Sequence, residues 1–359
     1  MIYKLESLRG VAAVCVIFYH SYFNFFDKKI SFFSNSSLFV DFFFILSGFV
    51  MTLAYKERIE KGFSFSTFFF LRVGRLYPLH FLMLMVWVGY ILAKQLLHVY
   101  YNVGSPQIYE GSDYNFFTFI MHLFLLNGMW TISEFVWNGP SWSISTEIFA
   151  YIVFYFFARY KLTSSHYLLP LAISIFCYTL LSLDSNSIQP TLNGGFIRCL
   201  AGFFLGVFIY NFKDTTNKLN TKSRTIIEII VVLAVIISVA HSNKLEIQLL
   251  SVIFMALSII VFSNHNSGVI GRLLESSIAT KLGKWSFSIY MVHSLVISIH
   301  EVVLATFFDV TSANTTGFAS ILINCSMIFV TISISKFTYE NIELRFRNNV
   351  KAMVDRKIY

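Results

Sequence analysis

The first hydrophobic stretch of the chain contains two ionisable residues, Arg9 and His20, whose spacing places them on one face of a helix. Eleven steps of about 100° overshoot three full turns by only about 20°. Ionisable groups are unfavourable in a bilayer, so such a pair usually faces a cavity and indicates a functional site. The alternatives are that Arg9 only orients the span and that His20 makes a single hydrogen bond between helices. His20 lies about 18 Å along the span, too deep for its short ring to reach water.

Two carboxylates lie inside later hydrophobic stretches. Asp41 is about one turn into SLFVDFFFILSGFVM, where it either stabilises a helix amino terminus or takes part in chemistry. Glu147, in SWSISTE, lies beyond the position at which a carboxylate caps a helix, so it points into the bundle and needs a partner or a proton. We expect His20 to be the partner of Glu147, and Asp41 is the second candidate for that pairing.

Two arginines, Arg72 and Arg75, are three residues apart in FFFLRVGRLYPLH and therefore share a helix face. Guanidiniums this close repel each other unless an anion lies between them, and arginine suits two-pronged contacts with phosphate. The pair predicts a cytoplasmic phosphate site on the helix that leads into this span. For either arginine alone, the simpler explanation is that it orients the span in the membrane.

Two further pairs of residues combine polar groups with helical spacing. Trp142 and Ser143 follow a Gly-Pro turn at the start of the span that contains Glu147, and we expect them to bind substrate. Tyr290 and His293 share a face of a later span, where the alternative to a role in cofactor binding is simple packing between helices.

The composition is that of a membrane protein. The 359 residues are 56% hydrophobic, 18% aromatic and 13% charged, with a mean hydropathy of +0.66. The net charge of +8 comes from basic residues in short loops, which argues against a nucleic-acid partner. Four isolated cysteines give no metal-ligand pattern, so we expect neither a metal nor disulfides. We predict one membrane domain over 1–340 and a basic cytoplasmic tail over 341–359.

The hydrophobic stretches predict an all-α polytopic protein with about ten transmembrane helices. They lie near 8–26, 36–55, 77–97, 143–160, 166–183, 194–212, 225–241, 246–263, 286–307 and 317–336. A shorter stretch at 116–130 is expected to be re-entrant or a short helix. If it does not cross, most of the 27 lysines and arginines fall on one side, and the positive-inside rule then makes both termini cytoplasmic.

Taken together and in this order, the motifs resemble those of the acyltransferase-3 family of integral membrane proteins, which O-acylate bacterial surface polysaccharides. The resemblance rests on Arg9 and His20 with ten residues between them, VDFFFILSGF at 40–49, the Arg-x-x-Arg followed by LYP, SWSISTE at 141–147, IYMVH at 289–293 and YENIELRFR at 339–347. These motifs cover nearly the whole chain.

The resemblance implies an enzyme of the bacterial inner membrane that moves an acetyl group from cytoplasmic acetyl-CoA to a sugar hydroxyl. Arg72 and Arg75 would then bind the phosphates of the donor. His20 would act as general base, with its second nitrogen held by a carboxylate, or would carry the acetyl group as a covalent intermediate. Arg9 would bind a phosphate or stabilise the thioester oxyanion, and its position near the cytoplasmic end favours phosphate.

A transporter or flippase of lipid-linked glycans is the alternative from another class, because buried charges in many spans also describe such proteins. Inverted internal repeats would indicate it, and no second copy of the Arg-His or Arg-x-x-Arg pattern occurs in the later spans. A scaffold without chemistry would leave Arg9, His20 and Glu147 unexplained. The acceptor hydroxyl, the length of the acyl group and the oligomeric state cannot be derived from the sequence.

Overall fold

In a computed structural model the chain consists of helices joined by turns, described over residues 2–21, 30–102, 104–184, 186–217, 219–311, 315 and 317–358. The α-helices are α1 Tyr3–His20, α2 Ser31–Ser34, α3 Phe39–Glu60, α4 Phe65–Tyr101, α5 Phe116–Leu123, α6 Trp142–Arg159, α7 Leu162–Ser165, α8 Leu169–Asp184, α9 Gly195–Ile209, α10 Thr221–Ala240, α11 Leu245–Phe262, α12 Val269–Leu274, α13 Ser277–Phe308, α14 Gly317–Thr338 and α15 Leu344–Ile358. These ranges contain no β-strand, which confirms the predicted all-α class.

Eight helical segments in the described part of the chain are long and apolar enough to cross a bilayer. They are Ser36–Glu60, Phe65–Tyr101, Gly139–Arg159, Gly195–Phe212, Thr221–Ala240, Leu245–Phe262, Ser277–Phe308 and Gly317–Val354. The other two expected spans correspond to α1, which carries three charged residues, and to α8, which has only 16 residues. The chain is therefore a polytopic helical membrane protein. Residues 22–26 of the first expected span lie outside the described residues.

The stretch at 116–130 forms a short helix, as expected. Its helix α5 has eight residues and is therefore about 12 Å long, too short to cross a bilayer. Asn115 begins it by accepting the backbone N–H of Thr118 (3.0 Å). His80 of α4 donates through Nε2 to the carbonyl of His122 (2.8 Å), which attaches the short helix to a long one.

Glycines allow two pairs of helices to approach closely. Gly10 of α1 lies against Gly283 of α13, where an added Cβ would come within 2.6 Å of the Gly283 nitrogen. In the same way, a Cβ on Gly48 of α3 would collide with the carbonyl of Phe203 in α9, so these two helices approach closely at this glycine. These contacts set α1 and α3 firmly against the helices that complete the site.

The end of the chain is one continuous helical run from α14 into α15. The join is a π-helical turn, Tyr339–Glu343, which inserts an extra residue into the helical repeat. Beyond it, α15 packs along α4, with Val350 against Gly74. The predicted boundary between 340 and 341 falls within this turn, and the division into domain and tail stays a prediction.

Candidate active site

Three partly buried arginines from two helices line one cavity. Arg9 of α1 and the pair Arg72 and Arg75 of α4 surround a space of about 110 Å³, together with polar side chains of α3, α6 and α13. We call this space the arginine cavity. Sequence spacing predicted that Arg72 and Arg75 share a face, and the structure adds Arg9 to them.

Each arginine is held differently. Arg9 donates through Nε to Ser286 Oγ (2.6 Å) and through Nη2 to the carbonyl of Gly283 (3.2 Å). Arg72 donates through Nη2 to Tyr55 Oη (2.7 Å), and its guanidinium lies 4.8 Å from the centre of that ring. Arg75 makes no hydrogen bond to any residue in the described ranges, and its buried Nε is unpartnered. The cluster therefore retains hydrogen-bond donors for an anion.

Glu147 faces the arginine cavity. Its Oε1 accepts hydrogen bonds from Ser47 Oγ and from Tyr151 Oη, the latter at 2.5 Å. The expectation that Glu147 pairs with His20 is wrong. Helix α6 points this carboxylate toward the arginines, and Nδ1 of His20 contacts the carbonyl of Val16 and Nε2 of His293 instead. The carboxylate offsets part of the positive charge of the cavity.

A second buried carboxylate, Glu343, also lies near the cluster and was not identified from the sequence. It is 2% exposed and accepts a hydrogen bond from Ser288 Oγ (3.3 Å). The carboxylate lies within electrostatic range of Arg9 and Arg75. Glu343 occupies the π-turn at the end of α14, and regular helical periodicity cannot reveal which way such a turn directs its side chains. Its place in YENIELRFR was the only available signal.

His20 lies in a different and larger space. This space of about 790 Å³, which we call the histidine cavity, is lined by His20, by Trp142 and by side chains from α4, α13 and the segment between α5 and α6. Val40 and Tyr290 line both cavities, so these two side chains form a boundary that the two spaces share, which we call the junction. The arrangement places a histidine and an arginine cluster on opposite sides of the junction.

The hydrogen bonds of His20 identify its tautomer. Its Nδ1 lies 3.0 Å from the carbonyl oxygen of Val16, which can only accept, so Nδ1 carries the proton. His293 Nε2 lies 3.3 Å from the same Nδ1, while His293 Nδ1 lies 2.6 Å from the carbonyl of Tyr290. By the same reasoning His293 is protonated on Nδ1 and accepts through Nε2. The Nε2 of His20 therefore keeps a lone pair.

The expected pair Tyr290 and His293 does share a helix face, but the two side chains act at different places. His293 is 1% exposed and contacts His20, whereas Tyr290 lies at the junction. Ser143 Oγ donates to Tyr290 Oη (3.0 Å), which links the start of α6 to α13. Trp142 faces the histidine cavity, so the two residues expected to bind substrate lie on opposite sides of the junction.

Asp41 lies away from His20, in a buried ion pair. Its carboxylate accepts from Arg198 Nη2 (2.7 Å) and Nε (3.1 Å), and its exposure is 0%. The Arg198 guanidinium also donates to the carbonyl of Ser37 and lies 5.8 Å from the ring of Trp142. Bidentate pairing of this kind fixes α3 against α9 beside the histidine cavity.

Together, these features define a helical membrane protein with an arginine-lined cavity beside a chamber that contains a histidine. A family model described as an acyltransferase domain matches residues 2–339. The chain therefore belongs to this acyltransferase-3 family and is a membrane acyltransferase, as its motifs indicated. The curated "Protein 2 in picA locus" of Rhizobium radiobacter is 30% identical over 180 residues, which cover 47% of this chain and 88% of that protein. No solved structure matches the chain.

Proposed function

We propose that this acyltransferase moves an acetyl group from acetyl-CoA to a sugar hydroxyl of a surface polysaccharide, or of its lipid-linked precursor, in the bacterial inner membrane. The observation that supports this most strongly is the junction at Tyr290, where a cavity with three guanidiniums meets the chamber that holds His20. Such an arrangement suits a donor that carries phosphates at one end and a reactive carbonyl at the other.

The donor end of the reaction is assigned to the arginine cavity. Arg9, Arg72 and Arg75 bind phosphate oxygens of acetyl-CoA, which supplies the counter-charge that Glu147 alone does not. The cavity is smaller than the roughly 300 Å³ of a pocket that encloses a whole drug-sized ligand. Only part of the donor therefore enters it, and the adenosine stays at the cytoplasmic surface while the thioester reaches the junction.

The acceptor end is assigned to the histidine cavity, where His20 Nε2 acts as general base. The sugar oxygen bonds to the thioester carbonyl carbon while its proton passes to Nε2. The bond from carbon to sulfur then breaks, and the protonated His20 returns the proton to the sulfur of coenzyme A. The alternative route, in which Nε2 itself takes the acetyl group before passing it to the sugar, uses the same lone pair and predicts labelled histidine when acceptor is absent.

Two neighbours prepare His20 for this role. The Val16 carbonyl and His293 Nε2 both accept from Nδ1–H, which keeps the lone pair on the nitrogen that the reaction uses. At the junction, the hydroxyl of Tyr290, which accepts from Ser143 Oγ, is placed to donate to the oxygen of the thioester as negative charge develops on it. In this mechanism His293 is a positioning residue.

The test uses membranes that contain the protein, supplied with radiolabelled acetyl-CoA. We expect label in the glycan fraction with the unmodified protein and a loss of about 10²-fold or more with His20→Ala at equal protein levels. Retention of most of the activity by His20→Ala would reject the assignment. A flippase, the alternative, would move glycan across the membrane without labelling it, and family membership makes this alternative the weaker one.

A further inference from the structure

The histidine cavity contains a charged pair that the chemistry above does not use. Lys94 of α4 and Glu301 of α13 both line it, on the side where these helices end. Lys94 Nζ donates to Gln107 Oε1 (3.2 Å) and lies 5.7 Å from the centre of the Tyr90 ring. Both charged side chains are half-buried.

Glu301 has no partner that satisfies its charge. Its carboxylate makes no hydrogen bond, and no ion pair within 4.0 Å, to any residue that the structure describes. A half-buried carboxylate at this position is unfavourable unless water or a ligand binds it. Glu301 thus presents an unused hydrogen-bond acceptor to this space, and Lys94 presents hydrogen-bond donors to it.

Four aromatic side chains also line this cavity. Trp87 and Tyr90 of α4 meet edge to face, with ring centres 5.5 Å apart, and Tyr114 and Trp137 meet similarly at 5.1 Å. The indole nitrogen of Trp87 is buried and has no hydrogen-bond partner among the described residues. Flat apolar rings beside a few polar groups are what the C–H face and the hydroxyls of a pyranose ring require.

The segment between α5 and α6 has a strained backbone at three residues, of which Trp137 lines the cavity. Leu125, Trp130 and Trp137 have φ values of +54°, +57° and +50°, in the left-handed region that residues other than glycine rarely adopt. Strain of this kind clusters at binding sites, where the surrounding structure compensates for it. Trp137 is held in place by donation from Nε1 to Thr118 Oγ1 (3.2 Å).

From these contacts we infer that the Lys94 and Glu301 end of the histidine cavity is a subsite for an uncharged sugar ring of the acceptor. Glu301 accepts from one ring hydroxyl, Lys94 donates to another, and the aromatic rings pack against the C–H face. With one charge of each sign the subsite has no net charge, so a uronic acid or an amino sugar would bring a charge that the pair as a whole does not neutralise. The inference rests on the proposed function, because it names the class of acceptor.

The experiment measures sugar binding in the absence of donor, by tryptophan fluorescence of the purified full chain. The probes are the methyl glycosides of glucose, galactose, mannose and rhamnose, compared with a methyl glucuronide and a methyl glucosaminide. We expect at least one uncharged glycoside to bind saturably and more tightly than both charged ones. No saturable binding, or preferential binding of a charged glycoside, would overturn the subsite.

Variants then assign the binding to this pair of residues. Glu301→Gln and Lys94→Gln are each expected to weaken binding of the preferred glycoside about tenfold or more while leaving acetyl-CoA affinity unchanged, which shows that the variants are folded. The matched controls Glu246→Gln and Lys244→Gln remove the same charges at exposed positions outside the cavity and should leave sugar binding unchanged. If Glu301→Gln and Lys94→Gln bind the glycoside as tightly as the unmodified protein, the inference fails.

Acetyl transfer by the unmodified protein is measured separately. Transfer without any effect of Glu301→Gln on the acceptor KM would overturn the subsite and leave the proposed function intact. Sugar binding without any acetyl transfer would instead contradict the proposed function.

Discussion

His293 Nε2 lies 3.3 Å from His20 Nδ1, so two imidazoles from opposite ends of the chain share one hydrogen bond. Replacing His293 by leucine removes an acceptor and frees the His20 ring to rotate. We expect kcat to fall about tenfold or more, within the range that a general base contributes, with the KM for acetyl-CoA unchanged. Steady-state kinetics in detergent-solubilised protein measure both constants.

A purely structural role for His293 would not depend on the hydrogen bond. His293→Gln keeps an oxygen that can accept from Nδ1–H, so we expect it to recover part of the kcat lost in His293→Leu. Equal activity of the two variants, or a change confined to the KM, would contradict the positioning role.

The arginine cavity predicts a defect in donor binding. Arg72→Gln and Arg75→Gln each remove a charged donor from the cluster, and we expect the KM for acetyl-CoA to rise about 10- to 100-fold. Acetyl-CoA lacking its 3′-phosphate serves as a second donor in the same assay, and a smaller effect of one variant on it assigns that arginine to the 3′-phosphate. Arg159→Gln, an exposed position at the end of α6, is the matched control. An unchanged KM in both cavity variants would exclude the phosphate assignment.

Tyr290 tests the chemistry at the junction. Tyr290→Phe keeps the ring that lines both cavities and removes only the hydroxyl bonded to Ser143. We expect kcat to fall about 10²-fold, as for loss of one oxyanion donor, without a change in donor affinity. Tyr160→Phe, which removes an exposed hydroxyl, should behave like the unmodified protein. Full activity of Tyr290→Phe would show that the hydroxyl does not act on the thioester.

The ion pair between Asp41 and Arg198 predicts a stability effect. A single change, Asp41→Leu, leaves a buried guanidinium without its counter-charge, and we expect a loss of about 3–5 kcal/mol of stability. The double variant Asp41→Leu with Arg198→Met removes both charges and should recover much of it. Thermal unfolding monitored by size-exclusion chromatography in detergent ranks the stabilities of the unmodified protein, the single variant and the double variant. A double variant that is well folded but inactive would instead favour a catalytic role for Asp41.

The packing of α1 predicts that a distant glycine controls the site. Gly10→Leu forces a side chain into the backbone of α13 near Gly283, and we expect a loss of about 1–3 kcal/mol with a fall in activity. Gly89→Leu in α4 is the control, because no atom of the described residues lies within 4 Å of its added Cβ. Equal stability and activity of the two variants would contradict the close approach of α1 and α13.

The features that were predicted correctly from the sequence are those that are set within a single helix. It identified the all-α class, the short segment at 116–130, and the shared faces of Arg72 with Arg75 and of Tyr290 with His293. These follow from the helical repeat and from hydropathy, which are local.

Pairings between helices could not be predicted in the same way. Arg9 joins the other arginines, His20 meets His293, and Glu147 turns away from His20 because of how α1, α4, α6 and α13 pack. A single sequence does not fix that packing. Glu343 was missed for a different reason, since a π-turn shifts the phase of the repeat on which such predictions depend.

The junction at Val40 and Tyr290 has an electrical consequence. Under the proposed function, the phosphates remain with the arginines, and an acetyl group passes the junction in exchange for the proton that returns to the sulfur, so no net charge is moved. A full charge crossing the bilayer would couple to the membrane potential by about 2.3 kcal/mol per 100 mV. Transfer of the acetyl group without net charge avoids this coupling, so we expect the turnover rate to be independent of the membrane potential. The acetyl group then crosses the bilayer without opening a path for ions.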